Sequence, residues 1–216
     1  MAPIIISAKV TLSATVLAAL LGLFAARKTA KLRRGHVKSL LDGLLTLPMV
    51  LPPTVTGFLL LVIFGKNGLL GNTLTAIGFP IVFTIRGAVI AAAVVSFPLM
   101  YRAARGAFEA LDPSLEEAAR TMGYGEIRLF WQVTVPCTSH GVISGLVLTF
   151  ARALGEFGAT SLLAGNMPGK TQTIPLAIYS ALSANHRDTV YVWVAITAGI
   201  SLVSIFLLNQ LTKKTK

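Results

Sequence analysis

Long stretches of apolar residues, separated by short basic stretches, dominate the chain. A bilayer hydrocarbon core about 30 Å thick needs about 20 apolar residues to be crossed by a helix. Five segments reach or approach this length, and we predict that each crosses a membrane: Ile4–Ala26, Leu44–Phe64, about Ile85–Tyr101, Thr138–Ala164 and Thr189–Leu211. The pattern therefore predicts an all-α membrane protein, a polytopic bundle of about five transmembrane helices.

Two weaker apolar segments leave the number of spans open between five and six. Leu69–Ile85 carries no charge but is interrupted by Gly71, Gly78 and Pro80. Ile174–Ala184 is apolar over about eleven residues, too few to cross a bilayer. Either segment could be a re-entrant or interfacial piece on the outer side, and the first could be a sixth span. We find no linker or internal repeat, so residues 1–216 are predicted to form one membrane domain.

The charged residues are few and their positions are informative. Only 12% of the residues are charged and 54% are apolar, whereas a soluble domain carries roughly 25% charged residues. The Lys and Arg residues concentrate in Arg27–Lys38, Arg102–Arg128 and Lys213–Lys216. Cytoplasmic loops of membrane proteins carry such an excess. We therefore explain the net charge of +11 by the basic cytoplasmic loops of a membrane protein and not by binding to nucleic acid. An outer amino terminus and a cytoplasmic carboxyl terminus agree with five spans. Ile4–Ala26 lacks a charged start and is followed by basic residues, so we interpret it as a span and not as a cleaved signal peptide.

The sequence offers no catalytic, metal or nucleotide site. Cys137 is the only cysteine, and His36, His140 and His186 lie in different segments. The stretch closest to a phosphate-binding loop, Gly165–Thr171, has three residues between its glycines where that motif needs four. We therefore predict no cofactor, and no ATPase activity in this chain.

One spaced motif stands out in the basic region between the third and fourth predicted spans. It consists of Glu117-Ala118-Ala119, then Gly123, and then Val133-Thr134-Val135-Pro136. This pattern resembles the EAA loop of permease subunits of binding-protein-dependent ABC importers. The resemblance implies a cytoplasmic coupling loop, at about residues 103–136, that docks in the cleft of a separate ATPase subunit. The residues it assigns to that coupling are Asp112, Glu116, Glu117, Ala118, Ala119, Gly123 and Pro136.

The local sequence of this loop predicts two short helices. Asp112 can cap a helix, and proline at position 113 is tolerated in its first turn. Gly123 suits the left-handed residue that often ends a helix. We predict a helix over Pro113–Met122, a turn at Gly123–Gly125 and a second helix through about Val133. The loop would offer a partner the small Ala118 and Ala119 and the apolar Leu129, Phe130 and Trp131. The alternative without a partner is a solvated amphipathic loop.

Three further stretches resemble the molybdate/tungstate permeases within this family. They are Leu47–Phe58, with its Leu-Pro-Pro-Thr-Val sequence, Phe150–Thr160 and Ala164–Tyr179. The resemblance implies a homodimer that works with two ATPase subunits and an extracytoplasmic oxyanion-binding protein in a bacterial or archaeal inner membrane. Sulfate/thiosulfate permeases share parts of the second and third stretches, so sulfate is the alternative solute. A passive channel and an integral membrane enzyme are two further hypotheses. The motif argues against the channel, and the lack of a second carboxylate or nucleophile–base pair argues against the enzyme.

Two groups of residues are candidates for the transport pathway. Prolines inside a span free backbone carbonyls and bend the helix, which is tolerated only beside neighbouring helices or water. Arg152 and Glu156 are spaced to lie on one face of the fourth span, where charge is costly unless paired or lining water. They could be a structural ion pair, or Arg152 could offer a transient site to an oxyanion while Glu156 limits its affinity. Hydroxyls at Thr149, Thr160 and Ser161 could add donors. The candidate pathway residues are Pro52, Pro53, Thr54, Thr149, Arg152 and Glu156.

Overall fold

A computed structural model of the chain describes residues 2–33 and 35–213, and every regular element in these ranges is helical. Three helices, α1, α5 and α11, are long and apolar enough to cross a membrane, and the total rises to five if each of two bent helix pairs is one span. This agrees with the predicted bundle of about five spans. The helices are α1 (Ala2–Ala30), α2 (His36–Val50), α3 (Pro53–Phe64), α4 (Gly71–Ala76), α5 (Ile85–Glu109), α6 (Pro113–Thr121), α7 (Glu126–Cys137), α8 (Ser139–Leu154), α9 (Gly158–Leu163), α10 (Ile174–Ser183) and α11 (Arg187–Lys213).

The two weaker apolar segments are not spans. Leu69–Ile85 contains only the six-residue α4 before α5 begins. Ile174–Ala184 forms α10, a ten-residue helix of about 15 Å at 1.5 Å per residue, half the hydrocarbon thickness. Neither segment adds a sixth span.

The predicted span Leu44–Phe64 is not one kinked helix. Helices α2 and α3 are bent by 109° with respect to each other at Leu51–Pro52. Leu51 and Pro52 are extended, with ψ of 140° and 137°, because a residue that precedes proline is pushed out of the helical region. Pro53 then occupies the first turn of α3, where no N–H is needed. Two consecutive prolines therefore produce a break, whereas the single Pro98 stays inside α5.

The predicted span Thr138–Ala164 is also interrupted. Helix α8 ends at Leu154, and α9 begins at Gly158 after a short non-helical break. Helices α7 and α8 form the second of the two bent pairs and are turned by 82° from each other. This turn lies at Thr138, where the predicted span begins. We call residues 155–157 the α8–α9 break.

Small residues allow the long helices to pack closely. Helix α1 packs along α5, and Ala14, Ala18, Ala88 and Ala92 are all fully buried. A Cβ at Gly22 would lie 2.8 Å from Cγ of Met100 on α5. Without water in a bilayer, van der Waals packing of such small residues is a main source of helix association. Helices α1 and α5 thus form the centre of the bundle, and α8 packs against both.

Helix α3 packs equally closely against α9. A Cβ at Gly57 would lie 2.7 Å from Cα of Ala159, and one at Gly158 would lie 2.9 Å from Cβ of Pro53. These contacts bring the break before α3 and the α8–α9 break to the same place in the bundle. The two groups predicted to line the pathway, Pro52–Thr54 and the Arg152–Glu156 pair, are therefore neighbours in the bundle. They are about 100 residues apart in sequence.

Candidate functional site

The segment between α5 and α8 contains the spaced motif and forms two helices, of which the second is turned by 82° from α8. We call residues 113–137, which comprise α6, the turn and α7, the coupling segment. The Asp112 carboxylate accepts a hydrogen bond from the backbone N–H of Ser114 at 2.9 Å, and this bond lowers the pKa of Asp112. Gly123 has φ of +81°, the left-handed conformation that favours glycine. The predicted helix start at Pro113 and the predicted stop at Gly123 are both confirmed.

The second helix of the coupling segment is longer than predicted. It begins at Glu126 and continues past Val133 to Cys137, with a π-helical turn over Phe130–Thr134. The motif residue Pro136 lies in its last turn and is exposed. Such π-helical turns are frequent at functional sites.

Part of the predicted apolar contact surface faces the bundle instead of solvent. Leu129 and Phe130 are buried, and the Phe130 ring packs edge-on against Phe108 of α5 at a centroid distance of 5.8 Å. Trp131 is 54% exposed. The prediction was therefore wrong for Leu129 and Phe130, because the sequence does not show which side of α7 rests on α5.

The motif residues differ in their exposure. Glu117, Ala118 and Gly123 are exposed, whereas Ala119 is buried and accepts a hydrogen bond from the N–H of Tyr124 through its carbonyl. The methyl group of Ala119 thus packs within the chain. Exposed apolar residues that the motif does not include accompany it, namely Leu115, Met122 and Ile127.

Glu116, which the resemblance assigns to docking, points into the chain. One carboxylate oxygen accepts a hydrogen bond from the Thr134 hydroxyl at 2.7 Å, and the other accepts one from Arg120 at 2.9 Å. Burial raises the pKa of Glu116, but these two hydrogen bonds and the charges of Arg27 and Lys31 outweigh it, so the net pKa is lowered. Its side chain is 18% exposed.

Arg27, in the last turn of α1, joins this network. Its guanidinium donates to Oε2 of Glu126 at 2.9 Å, to the Glu126 carbonyl at 3.2 Å and to Oγ1 of Thr134 at 3.3 Å. It also lies 4.5 Å from the centroid of the Phe130 ring. Arg120 closes the circuit by donating to Oε1 of Glu126 at 2.9 Å. We call this set, formed by Arg27, Glu116, Arg120, Glu126 and Thr134, the ionic ring.

The ionic ring was not predicted from the sequence. Arg27 is one of several basic residues that follow the first span, and its partners lie about 100 residues away. The one feature of the sequence that points to such ion pairs is the group of acidic residues in the loop, Glu116, Glu117 and Glu126, which could pair with residues of the basic stretch after the first span. Periodicity alone could not pair them.

Arg152 and Glu156 form the predicted ion pair at the α8–α9 break. Nη1 of Arg152 lies 2.8 Å from Oε2 of Glu156, and the side-chain exposures are 33% and 2%. The pair is not aligned as a hydrogen bond, since Oε2 has no hydrogen-bond partner among the described residues. The second oxygen, Oε1, accepts from the backbone N–H of Ala159 at 2.8 Å. Glu156 therefore also caps the start of α9, a role that its spacing from Arg152 did not indicate.

Three buried threonine hydroxyls lie on the helices that meet in this part of the bundle, α3, α8 and α9. The hydroxyls of Thr56, Thr149 and Thr160 are buried and make no hydrogen bond with any residue that the structure describes, which is uncommon for buried polar groups. Pro52 and Thr54 are exposed and Pro53 is half-buried. Of the predicted pathway residues, the structure brings Pro53 and Thr54 against Gly158, two residues beyond Glu156. Ser161 instead donates its hydroxyl to the Gly158 carbonyl at 2.9 Å.

Comparison with known protein families and sequences gives a consistent result. The family described as "Binding-protein-dependent transport system inner membrane component" matches residues 18–216. A candidate molybdenum transport system permease of Bacillus subtilis (strain 168), YvgM, is 41% identical over 216 residues, covering 99% of this chain and 93% of that protein. The molybdenum transport system permease protein ModB of Escherichia coli (strain K12) is 54% identical over 146 residues, covering 67% of this chain and 64% of ModB. The sulfate transport system permease protein CysW of Synechococcus elongatus is 38% identical over 178 residues, covering 82% of this chain and 62% of CysW.

Solved structures support the same architecture. The chain matches a subunit of the inward-facing MetNI methionine ABC transporter with a TM-score of 0.74 at 13% identity, over 99% of this chain and 94% of that one. It matches a chain of the bacterial alginate ABC transporter, in complex with an alginate pentasaccharide-bound periplasmic protein, with a TM-score of 0.74 at 17% identity, over 99% and 78% of the two chains. At these identities the likeness concerns the fold. Because the family model covers more than nine-tenths of the sequence, the chain belongs to the inner-membrane components of binding-protein-dependent transport systems, the permease subunits of ABC importers.

Proposed function

We propose that this chain is the permease subunit of an ABC importer for molybdate or tungstate. The single observation that carries the choice of solute is the similarity to molybdenum permeases, at 41% identity across nearly the full length of both chains for the Bacillus relative. Sulfate is the second candidate because a sulfate permease is 38% identical over most of this chain. All three solutes are tetrahedral oxyanions, so the same kind of pathway would serve them.

The coupling segment is the proposed docking surface for the separate ATPase subunit. Its exposed motif residues Glu117, Ala118 and Gly123 lie beside exposed apolar side chains, of which Met122 and Ile127 are 73% and 79% exposed. Exposed apolar residues that form one patch mark interaction surfaces, and the proposal takes these side chains as part of such a patch. The small Ala118 and Gly123 allow a partner surface to approach closely.

The transport cycle follows from this docking. A homodimer of the permease would carry two coupling segments, one for each ATPase subunit. ATP binding would close the ATPase dimer, draw the two coupling segments together and turn the helices towards the outward-open state. Hydrolysis would reset them, and an extracytoplasmic oxyanion-binding protein would deliver the solute to the outer side.

Arg152 is the proposed transient contact for the anion. A guanidinium has five N–H donors, and the ion pair with Glu156 is made through Nη1. Other donors therefore remain on a side chain that is one-third exposed. Glu156 itself is buried, so an arriving anion would meet the cation and not the carboxylate. Thr149 lies three residues before Arg152 on α8 and Thr160 lies on α9, and neither hydroxyl has a hydrogen-bond partner among the described residues. Glu156 keeps the local charge near zero, which would make the contact weak enough for release.

The choice of solute is tested by reconstitution with the ATPase subunit and the oxyanion-binding protein that the proposal assigns to this permease. Proteoliposomes should take up radiolabelled molybdate in an ATP-dependent manner, and unlabelled tungstate should compete more strongly than sulfate. Preferential uptake of sulfate would replace the first proposal by the second. Uptake without ATP would contradict the importer assignment.

The docking surface is tested by charge reversal at an exposed motif residue. Glu117→Lys should insert normally but lose ATPase binding in a pull-down together with ATP-driven uptake, because Glu117 lies on the proposed contact surface. Gly123→Trp should act in the same way. Asp188→Lys is the matched control, since Asp188 is also an exposed acidic residue but lies in the first turn of α11 and outside the coupling segment. Normal uptake by either docking variant would refute this assignment.

The proposed orientation has an outer amino terminus and a cytoplasmic coupling segment. It is supported by the basic residues at the inner ends of α1 and α5. In a variant in which Cys137 is replaced, Lys170→Cys should react with an impermeant thiol reagent in intact cells, and Lys31→Cys should react only after permeabilisation. The reverse pattern would place the coupling segment outside and remove the ATPase from the proposal.

A further inference from the structure

Helix α1 is fixed at both ends to elements that are remote in sequence. At its inner end, Arg27 contacts α7 of the coupling segment through Glu126 and Thr134. At its outer end, the hydroxyl of Ser7, which is 2% exposed, accepts a hydrogen bond from the backbone N–H of Ile174 at 2.7 Å. Ile174 is the first residue of α10. One helix thus bridges the coupling segment and a helix on the opposite side of the bundle.

The inner attachment is a closed circuit and not a single contact. Arg27 reaches Glu116 through Thr134, Glu116 pairs with Arg120, and Arg120 pairs with Glu126, which returns to Arg27. Every link involves at least one ionised group, and such hydrogen bonds are about twice as strong as neutral ones. The ring ties α6 and α7 to each other as well as to α1, so the coupling segment and the end of α1 should move together.

The body of α1 is suited to carry that movement. It is an uninterrupted helix of 29 residues, and its alanine and glycine residues sit in close contact with α5. Near its outer end, Ile6, Val10 and Ala14 share a core cluster with Ala153 and Ala164, which flank the α8–α9 break and α9. Sideways displacement of α1 at one end is therefore not absorbed by a kink before it reaches the Arg152–Glu156 region.

We propose that α1 transmits movement of the coupling segment to α10 and the α8–α9 break, with Arg27 and Ser7 as the positioning residues at its two attachments. The inference rests on the proposed docking of an ATPase at the coupling segment. It adds a route from that segment to the outer side that does not pass through α8, the helix that follows the coupling segment in the chain.

The test compares Arg27→Gln with Lys28→Gln in the reconstituted transporter. Both substitutions remove one positive charge from the same turn of α1, but Lys28 lies over the Phe24 ring at 5.6 Å and is not in the ionic ring. For Arg27→Gln we expect ATPase binding and ATP hydrolysis to persist while the amount of oxyanion taken up per ATP falls by about tenfold, within the usual range of coupling between sites. Lys28→Gln should match the wild type, and Arg27→Lys should be intermediate because lysine keeps the charge without the planar fork.

The outer attachment supplies the second arm. Ser7→Ala removes the acceptor for Ile174 and should also lower uptake per ATP. If the two residues act on one route, the double variant should lose no more than the more affected single variant, whereas independent defects would multiply.

Three results would overturn the inference. The first is unchanged uptake per ATP in Arg27→Gln. The second is a loss of uptake in Arg27→Gln that only parallels a loss of ATPase binding, because Arg27 would then merely stabilise the docking surface. The third is a multiplicative double variant. If Arg27→Gln does not insert, Glu126→Gln decides by the same ratio, because Glu126 is 55% exposed and its replacement leaves the bundle intact. Failure of the wild-type chain to bind any ATPase would instead refute the proposed function.

Discussion

The Arg152–Glu156 pair allows a prediction in which the two partners behave differently. Arg152→Met would leave the Glu156 carboxylate, with a side chain that is 2% exposed, without its counter-charge. Breaking a buried pair in this way costs about 3–5 kcal/mol. Glu156→Gln would leave the Arg152 guanidinium without its counter-charge, but this side chain is 33% exposed and can be solvated. The amide oxygen of the glutamine would still accept from Ala159, so the cap of α9 would be kept.

The expected cost of Glu156→Gln is therefore smaller, about 1–2 kcal/mol, between the values for an exposed pair and a stranded buried charge. At roughly 2–4 °C per kcal/mol for a chain of this size, the unfolding midpoint should fall by roughly 10 °C for Arg152→Met and by roughly 4 °C for Glu156→Gln. The double variant Arg152→Met/Glu156→Gln should recover most of the loss, since it removes the stranded charge and retains the cap.

The assay is thermal unfolding in detergent, followed by intrinsic tryptophan fluorescence, combined with uptake by the same variants in proteoliposomes. Glu156→Leu is the control for the cap, because it removes the acceptor for the N–H of Ala159 and should be less stable than Glu156→Gln by about 1 kcal/mol. Equal shifts for Arg152→Met and Glu156→Gln, or a double variant no more stable than Arg152→Met, would refute this reasoning. A stable double variant that transports at the wild-type rate would show that the pair is structural only and would remove Arg152 from the proposed pathway.

Two further predictions concern packing and charge. Gly57→Ala should lower the unfolding free energy by about 1–3 kcal/mol because the new methyl group would lie 2.7 Å from Cα of Ala159. Gly43→Ala should be neutral or stabilising, because a Cβ there would have no described atom within 4 Å beyond its chain neighbours and its own helix backbone. The unfolding midpoints of the two variants, measured in parallel, would contradict this if Gly43→Ala were the more harmful. The hydrogen bond from Lys31, followed by that from Arg120, lowers the pKa of Glu126 from 4.5 to about 2, so its stabilising contribution should be fully present above the ordinary value and be lost as the pH falls towards 2. The difference in midpoint between the wild type and Glu126→Gln should accordingly stay constant from about pH 8 to about pH 5 and shrink only below that, and a decline already in the neutral range would disprove the assignment.

The sequence by itself determined the features that depend on neighbouring residues. Long apolar segments predicted the spans because the bilayer thickness sets their length, and the Asp112-Pro113 start and the Gly123 stop of α6 follow from local backbone chemistry. The motif spacing also located the family correctly. None of these inferences required knowledge of which elements touch.

The tertiary structure decided which side of each element faces the chain, and this changed the candidate sites. Ala119, Leu129 and Phe130 turned out to be buried, Glu116 joined Arg27 of α1, and Glu156 became the cap of α9. These outcomes were not predictable because a helix in a bilayer is apolar on its lipid-facing side as well as on its packed side, so hydrophobic periodicity carries little information about packing. The ion pairs of Arg27 join residues about 100 positions apart, and the break before α3 lies beside the α8–α9 break although the two are equally far apart in sequence. Both depend on how the helices are brought together, and only the folded bundle specifies that arrangement.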